Sequence, residues 1–122
     1  MDRTEKRSAR EVLDDHLKES QTGSVEADLA RNYAEDVVVL MRGEAHHGHE
    51  GVRGLARLLR QELPDASFEY GSCVVASEFG FLEWSGRGGQ AYVKDGADSY
   101  VIREGKIVAQ TIHYTVQRSS AS

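Results

Sequence analysis

The 122-residue chain has one cysteine, one proline and no long apolar run. A lone thiol, Cys73, cannot close an internal disulfide, which fits a reducing compartment such as the cytosol. Its flanks, Ser72 and Val74-Val75, have strand character, so the thiol reads as a small core residue. No segment approaches the roughly 20 apolar residues of a membrane-crossing helix, and the charged first residues do not resemble a secretory leader. Positive charge is scarce too. Fifteen Lys and Arg stand against 20 Asp and Glu, a net charge of -5. Outside Arg3, Lys6, Arg7 and Arg10 the basic residues are scattered, which excludes the clustered basic surface that nucleic acid requires. No internal repeat is evident. The length is that of one domain, ordered over about residues 8–117, and suffices to bury roughly two-thirds of the unfolded surface in a core.

What the chain does have is a strand-rich second half. Asp95 to Val116 reads as two strands around a tight turn at Arg103-Glu104-Gly105-Lys106. The period of two puts Asp98, Tyr100 and Ile102 on one face. In the second strand Gln110, Ile112 and Tyr114 share a face, opposite Thr111, His113 and Thr115. If the first of these faces points inward, Asp98 is either a satisfied core carboxylate or a working one. His113 falls outside by the same parity, unless a bulge reverses it. Further strands are expected at about 67–77 and 80–86, with the third running 91–103 and the last 106–117. Asp95-Gly96 reads as a bulge or bend inside the third, and Gly86-Arg87-Gly88-Gly89 as a hairpin loop. That loop is not a phosphate loop, because no Lys-Ser or Lys-Thr pair and no helix follow it. Leu82 and Trp84 share a face opposite Phe81 and Glu83.

The first half is mainly helical. Ser8 and Glu11 fit a capping box, and Val12, Leu13, His16 and Leu17 form a stripe that ends near Gly23. His16 inside that stripe is either a core histidine with a backbone or water partner, or a pocket group. Ser24 caps a second helix to about Ala34, with Val25, Leu29 and Asn32 or Tyr33 on its apolar face. Asp36 to Met41 is too short and β-branched for a helix and reads as a strand, followed by a turn and a short return strand at 45–47. A third helix spans about 51–62, burying Val52, Leu55, Leu58 and Leu59, and Pro64 stops it. His46, His47 and His49 match no strong metal-ligand spacing, and no cysteine lies nearby. Met1 to about Arg7 and Ser119 to Ser122 are expected to be frayed. Helices first and strands after predict an α+β fold with helices on one face of a bent antiparallel sheet, whose other face stays apolar through residues such as Phe81 and Val101.

Particular stretches resemble the nuclear-transport-factor-2-like superfamily, in its bacterial SnoaL-like and ketosteroid-isomerase-like branch. They are Tyr33-Ala34-Glu35-Asp36 before Val37-Val38-Val39, Gly48 opening the third helix, Trp84 in a central strand, and Gly96-Ala97-Asp98-Ser99-Tyr100 running into Arg103-Glu104-Gly105-Lys106-Ile107. The resemblance implies a cone: a strongly curved sheet wrapped around three helices, a pocket between them, and homodimers through the outer sheet face. It also implies that Asp98 occupies the place of a protonated aspartic acid that donates to a substrate oxyanion, a case the ketosteroid isomerases exemplify. His16 falls at or near their oxyanion tyrosine, and Tyr114 where a pocket tryptophan stands. Their proton-moving aspartate falls on Met41, so steroid isomerisation itself is not expected.

The resemblance therefore implies a pocket for a small apolar or aromatic molecule, with Asp98 and His16 as acid and base and Tyr33, Met41, Trp84, Tyr100, Gln110, Ile112 and Tyr114 as lining. Cyclisation, isomerisation or dehydration of a polyketide-like or carbonyl compound needs no metal or organic cofactor on this pattern. A binding protein without turnover and a protein-interaction module are the alternatives, since the fold hosts all three.

Overall fold

A computed structural model describes residues 6–22 and 24–119. Gly23, the expected helix cap, lies outside them, as do residues 1–5 and 120–122 of the expected frayed ends. The order is α1 Ala9–Thr22, α2 Val25–Asn32, β1 Tyr33–Met41, β2 Glu44–His47, α3 Gly48–Glu62, β3 Ser67–Ala76, β4 Phe79–Gly88, β5 Ala91–Arg103, β6 Lys106–His113 and β7 Gln117–Arg118. The strands form one curved sheet in the order β2-β1-β6-β5-β4-β3, with β7 on β5. The helices pack on its concave side, α1 against β3 to β6 and α3 against β1 and β2.

The starts of α1 and α2 follow from local hydrogen bonds. Glu11 N–H donates to Ser8 Oγ (3.1 Å) and Ser8 N–H donates to Glu11 Oε1 (2.8 Å), the reciprocal pair of a capping box. Ser24 Oγ accepts from Ala27 N–H. The α2 helix ends at Asn32, two residues before the expected Ala34. Tyr33 is already extended (φ -111°, ψ 133°) and pairs with Ile107, so strand pairing overrides the helical preference of Ala34 and Glu35. The α3 helix begins at Gly48 rather than Gly51, where φ of +70° favours glycine.

The sheet is mixed rather than purely antiparallel, because β1 runs parallel to β6. The strand β1 arrives from the helical layer, so no hairpin turn fixes its direction relative to β6. Register shifts between Tyr70 and Cys73, Trp84 and Gly86, and Val101 and Ile102 mark bulges that bend the strands. One of these skips Val108, so Ile107 and Gln110 both point inward and Gln110, Ile112 and Tyr114 follow on that face. His113 is outside, 3.4 Å from Asp95. The second shift falls at Lys94-Asp95, beside Gly96, where a bulge or bend was expected.

The Gly86–Gly88 segment belongs to β4 instead of to a loop, and the turn is at Gly89-Gln90. These glycines serve close packing: a Cβ on Gly88 would lie 2.6 Å from Pro64 O, and one on Gly86 would lie 3.0 Å from the Phe68 ring. The strand β6 stops at His113 instead of 117, because Asp95 accepts from Thr115 N–H and Oγ1–H and pulls the chain off the ladder before β7. Neither Arg7 nor Ser119 is frayed. Arg7 donates to Asn32 Oδ1, Arg31 O and Gly105 O, and Ser119 N–H donates to Gln90 O.

Candidate functional site

Alternation delivers Asp98 and Tyr100 to the concave face of β5, and the register Tyr100↔Gln110 sets Gln110 beside them. Opposite, Trp84 pairs with Gly96, whose missing side chain lets the indole lie over the backbone: a Cβ there would come 2.3 Å from the ring. The indole is thereby aimed two residues along, and Nε1–H donates to Asp98 Oδ1 at 3.0 Å. Asp98 Oδ2 accepts from Gln110 Nε2–H (3.1 Å) and Tyr100 O–H (3.3 Å). Tyr33 O–H donates to Gln110 Oε1 at 2.6 Å, which fixes the amide so that its N–H side faces the carboxylate.

Asp98 is buried, and burial pushes its carboxyl up from the ordinary carboxylate value. The Trp84 N–H, nearby His16 and the Gln110 and Tyr100 bonds act the other way without cancelling it. Burial, reinforced by nearby carboxylates, holds the Tyr33 and Tyr100 hydroxyls well above the usual phenol range, so both remain donors.

His16 comes to the same wall from α1. Its ring stands edge-on to Tyr33 and Tyr100, with centroids 5.6 and 5.5 Å away. Its Nδ1 meets Asp28 Oδ2 at 2.8 Å, and both residues are buried. Sequence reasoning missed Asp28. The signal was present: Val25, Asp28, Leu29 and Asn32 fall at the i, i+3, i+4, i+7 positions of one inward stripe. With Nδ1 paired, Nε2 has no protein partner among the described residues.

These side chains border a cavity of about 410 Å³ between the helices and the sheet. Asp98, His16, Tyr33, Met41, Trp84, Tyr100, Gln110, Ile112 and Tyr114 all line it, with Val39, Val52, Leu55, Leu63 and Phe68 making most of the rest apolar. Phe68, Trp84 and Tyr114 form an aromatic row at 5.6 and 5.5 Å centroid spacing. Tyr114 is anchored from outside the cavity. Its hydroxyl donates to Glu62 Oε1 (2.7 Å), and Arg42 grips Glu62 through both its terminal nitrogens (3.0 and 3.2 Å). His46 and His47 in β2 and His49 in α3 do not converge. His46 faces Glu44 at 3.9 Å, and His49 Nε2 donates to Tyr33 O at 3.0 Å.

A sequence comparison matches the SnoaL-like domain over residues 13–110. No curated protein matches by sequence. Among solved structures, a candidate polyketide cyclase from Sinorhizobium meliloti is 18% identical with a TM-score of 0.69, over 84% of this chain and 94% of that one. A candidate isomerase of the SnoaL-like family from Agrobacterium tumefaciens is 16% identical with a TM-score of 0.67, over 88% and 97%. A de novo designed protein with a curved β-sheet also reaches 0.69 at 18% identity, over 88% and 84%. At such identities the likeness is one of fold. With the family match covering most of its length, the chain belongs to the SnoaL-like domain family.

Proposed function

We propose that this protein is a cofactor-independent acid–base enzyme, of the cyclase, isomerase or dehydratase type, acting on a small polyketide-like or carbonyl compound. The observation that carries this reading is the buried His16–Asp28 pair on the wall of a cavity that Asp98 also lines. Nδ1–H directed at Asp28 leaves a lone pair on Nε2, and a carboxylate there orients the ring and stabilises the imidazolium formed when Nε2 takes a proton. Asp98 supplies the complementary group. Its Oδ2 has two protein donors and Oδ1 only one, so Oδ1 keeps a position for a ligand. A carboxyl whose burial favours the neutral form can donate there to a carbonyl oxygen.

In the corresponding step, a proton leaves the carbon next to a carbonyl for His16 Nε2. The C–H electron pair forms the enol C=C bond as the carbonyl oxygen takes the Asp98 proton. Ring closure or loss of water follows from that enol. General acid–base catalysis of this kind contributes typically 10²–10⁴-fold. The apolar walls and aromatic row suit a flat, uncharged molecule.

A second reading, a binding protein without turnover, draws on a different observation: three protein donors already hold Asp98, as they would a structural carboxylate. Thermal shift against aromatic ketones and polyketide-like compounds, with mass-spectrometric analysis of every stabilising compound, separates the two. Conversion supports the enzyme; stabilisation without conversion supports the binder; no stabilisation by any compound contradicts both.

The same proposal includes a homodimer through the outer sheet face. The cross-strand row Leu40, Thr111, Ser99, Phe81, Val74 runs over that face, and Leu40, Phe81 and Val74 are exposed, as is Phe79 beside them. No helix in the described residues is long and apolar enough to cross a membrane, and we place the chain in the cytoplasm on its lone cysteine.

A further inference from the structure

The Asp28 carboxylate that faces His16 is itself held from behind. Asn32 lies one helical turn on and is fully buried. Its Nδ2 donates to Asp28 Oδ1 at 2.8 Å and to Asp15 Oδ2 at 2.9 Å, so both amide protons are bonded to carboxylates. Its Oδ1 accepts from Arg7 at 3.0 Å. The neighbours leave one orientation for this amide: a guanidinium requires the oxygen, and two carboxylates require the NH₂. Arg7 is fixed in turn by the carbonyls of Arg31 and Gly105, at the end of α2 and in the turn between β5 and β6.

We infer that Asn32 is a positioning residue for the His16–Asp28 pair, and that Arg7 sets the direction of its amide. The inference rests on the acid–base reading above and adds the element that chooses which nitrogen of His16 is free. A carboxylate held only by His16 rotates about its Cβ–Cγ bond. With Oδ1 tied to Asn32, Oδ2 is presented to Nδ1, the proton stays on Nδ1, and Nε2 remains the unprotonated nitrogen on the cavity side. Asp15, the residue before His16, completes the cluster with its carboxylate on the Asn32 amide. Against the upward pull of partial burial, the Asn32 amide bond and then the charges of Arg31 and Arg7 hold its carboxyl below the usual range.

The test reads protonation directly by ¹⁵N NMR on histidine-labelled protein, assigning His16 among the five histidines by its absence in His16→Gln. With the imidazole neutral, the wild-type protein is expected to show a protonated Nδ1 and a bare Nε2. Asn32→Leu, similar in volume and without donors, is expected to move both nitrogens toward the averaged shifts of a tautomer mixture. Asn32→Asp reads the same signal should the leucine variant not fold. A purely structural Asn32 would lower the melting temperature and leave the His16 pattern as in the wild type, which overturns the inference. Asp28→Leu, which removes the acceptor altogether, is the control for the underlying pair. If that variant keeps the wild-type pattern, the His16–Asp28 reading fails, and this inference with it. The wild type alone supplies a further check: both Asn32 side-chain protons are expected to exchange slowly with solvent, and rapid exchange contradicts the inference without any substitution.

Discussion

His16 Nδ1 lies 2.8 Å from Asp28 Oδ2 across the junction of α1 and α2, with both side chains buried. Removing one partner of a buried hydrogen bond leaves the other unsatisfied and costs about 1–3 kcal/mol, more where the orphaned group is charged, whereas apolar replacement of both can be near neutral. Asp28→Leu should therefore lower the denaturation midpoint strongly, since it orphans His16 and the Asn32 amide alike, and the double variant with His16→Leu should lose less than the sum of the two singles. Urea denaturation of the singles and the double checks this, and losses that simply add would contradict it.

Trp84 owes its aim to Gly96. A Cβ there would stand 2.3 Å from the indole, so Gly96→Ala must displace the ring that donates to Asp98. Overpacking of this kind costs about 1–3 kcal/mol. The chain has one tryptophan, so its fluorescence reports the site alone. A shifted emission maximum together with a lower melting temperature is expected, and an unchanged spectrum would show that the ring has room to spare.

Burial of Asp98 has a pH signature. The unfolded chain releases this proton near the ordinary value of 3.8 and the native state releases it higher, so between the two the native state holds more protons. Asp98 thus makes stability fall as pH rises through that window. Glu62, Asp95 and Asp15, whose carboxyls are lowered, act in the opposite direction. Subtracting the stability–pH curve of Asp98→Asn from that of the wild type isolates the contribution. The difference should decline with pH above about 4 and then level off; a flat or rising difference would contradict the assignment.

On the outer face, Phe81 lies beside Val74 and is 41% exposed. Phe81→Glu should convert a dimer to a monomer in light scattering and leave the melting temperature of the monomer within a few degrees of the wild type. A wild-type protein that is already monomeric would remove the dimer from the account.

Much of this was legible in the residues, and what was not has physical causes. Alternation along β5 put Asp98 and Tyr100 on one face, and the helical stripe put His16 inside. The capping box at Ser8 and Glu11 is a local pattern and formed as read. Asp28 was overlooked because a charged residue on an inward stripe looks like an error in the period until its partner is seen, and that partner is twelve residues away on another helix. The mixed sheet was illegible for a related reason: the pairing of β1 with β6 is long-range, and no turn encodes its direction. The glycines of β4 were misread as a loop because close backbone approach and turn formation draw on the same residue. Arg7 seemed part of a frayed end because nothing local shows what a guanidinium near a terminus will reach.

The central claim is that His16 and Asp98 move protons on a molecule held in the cavity. Its most direct test is single-turnover kinetics, on the first compound shown to be converted, for the wild type, His16→Gln and Asp98→Asn, with binding measured alongside. Each variant is expected still to bind and to lose at least about 10²-fold in rate, the lower end of what a general acid or base contributes. Turnover at the wild-type rate by either variant would contradict it.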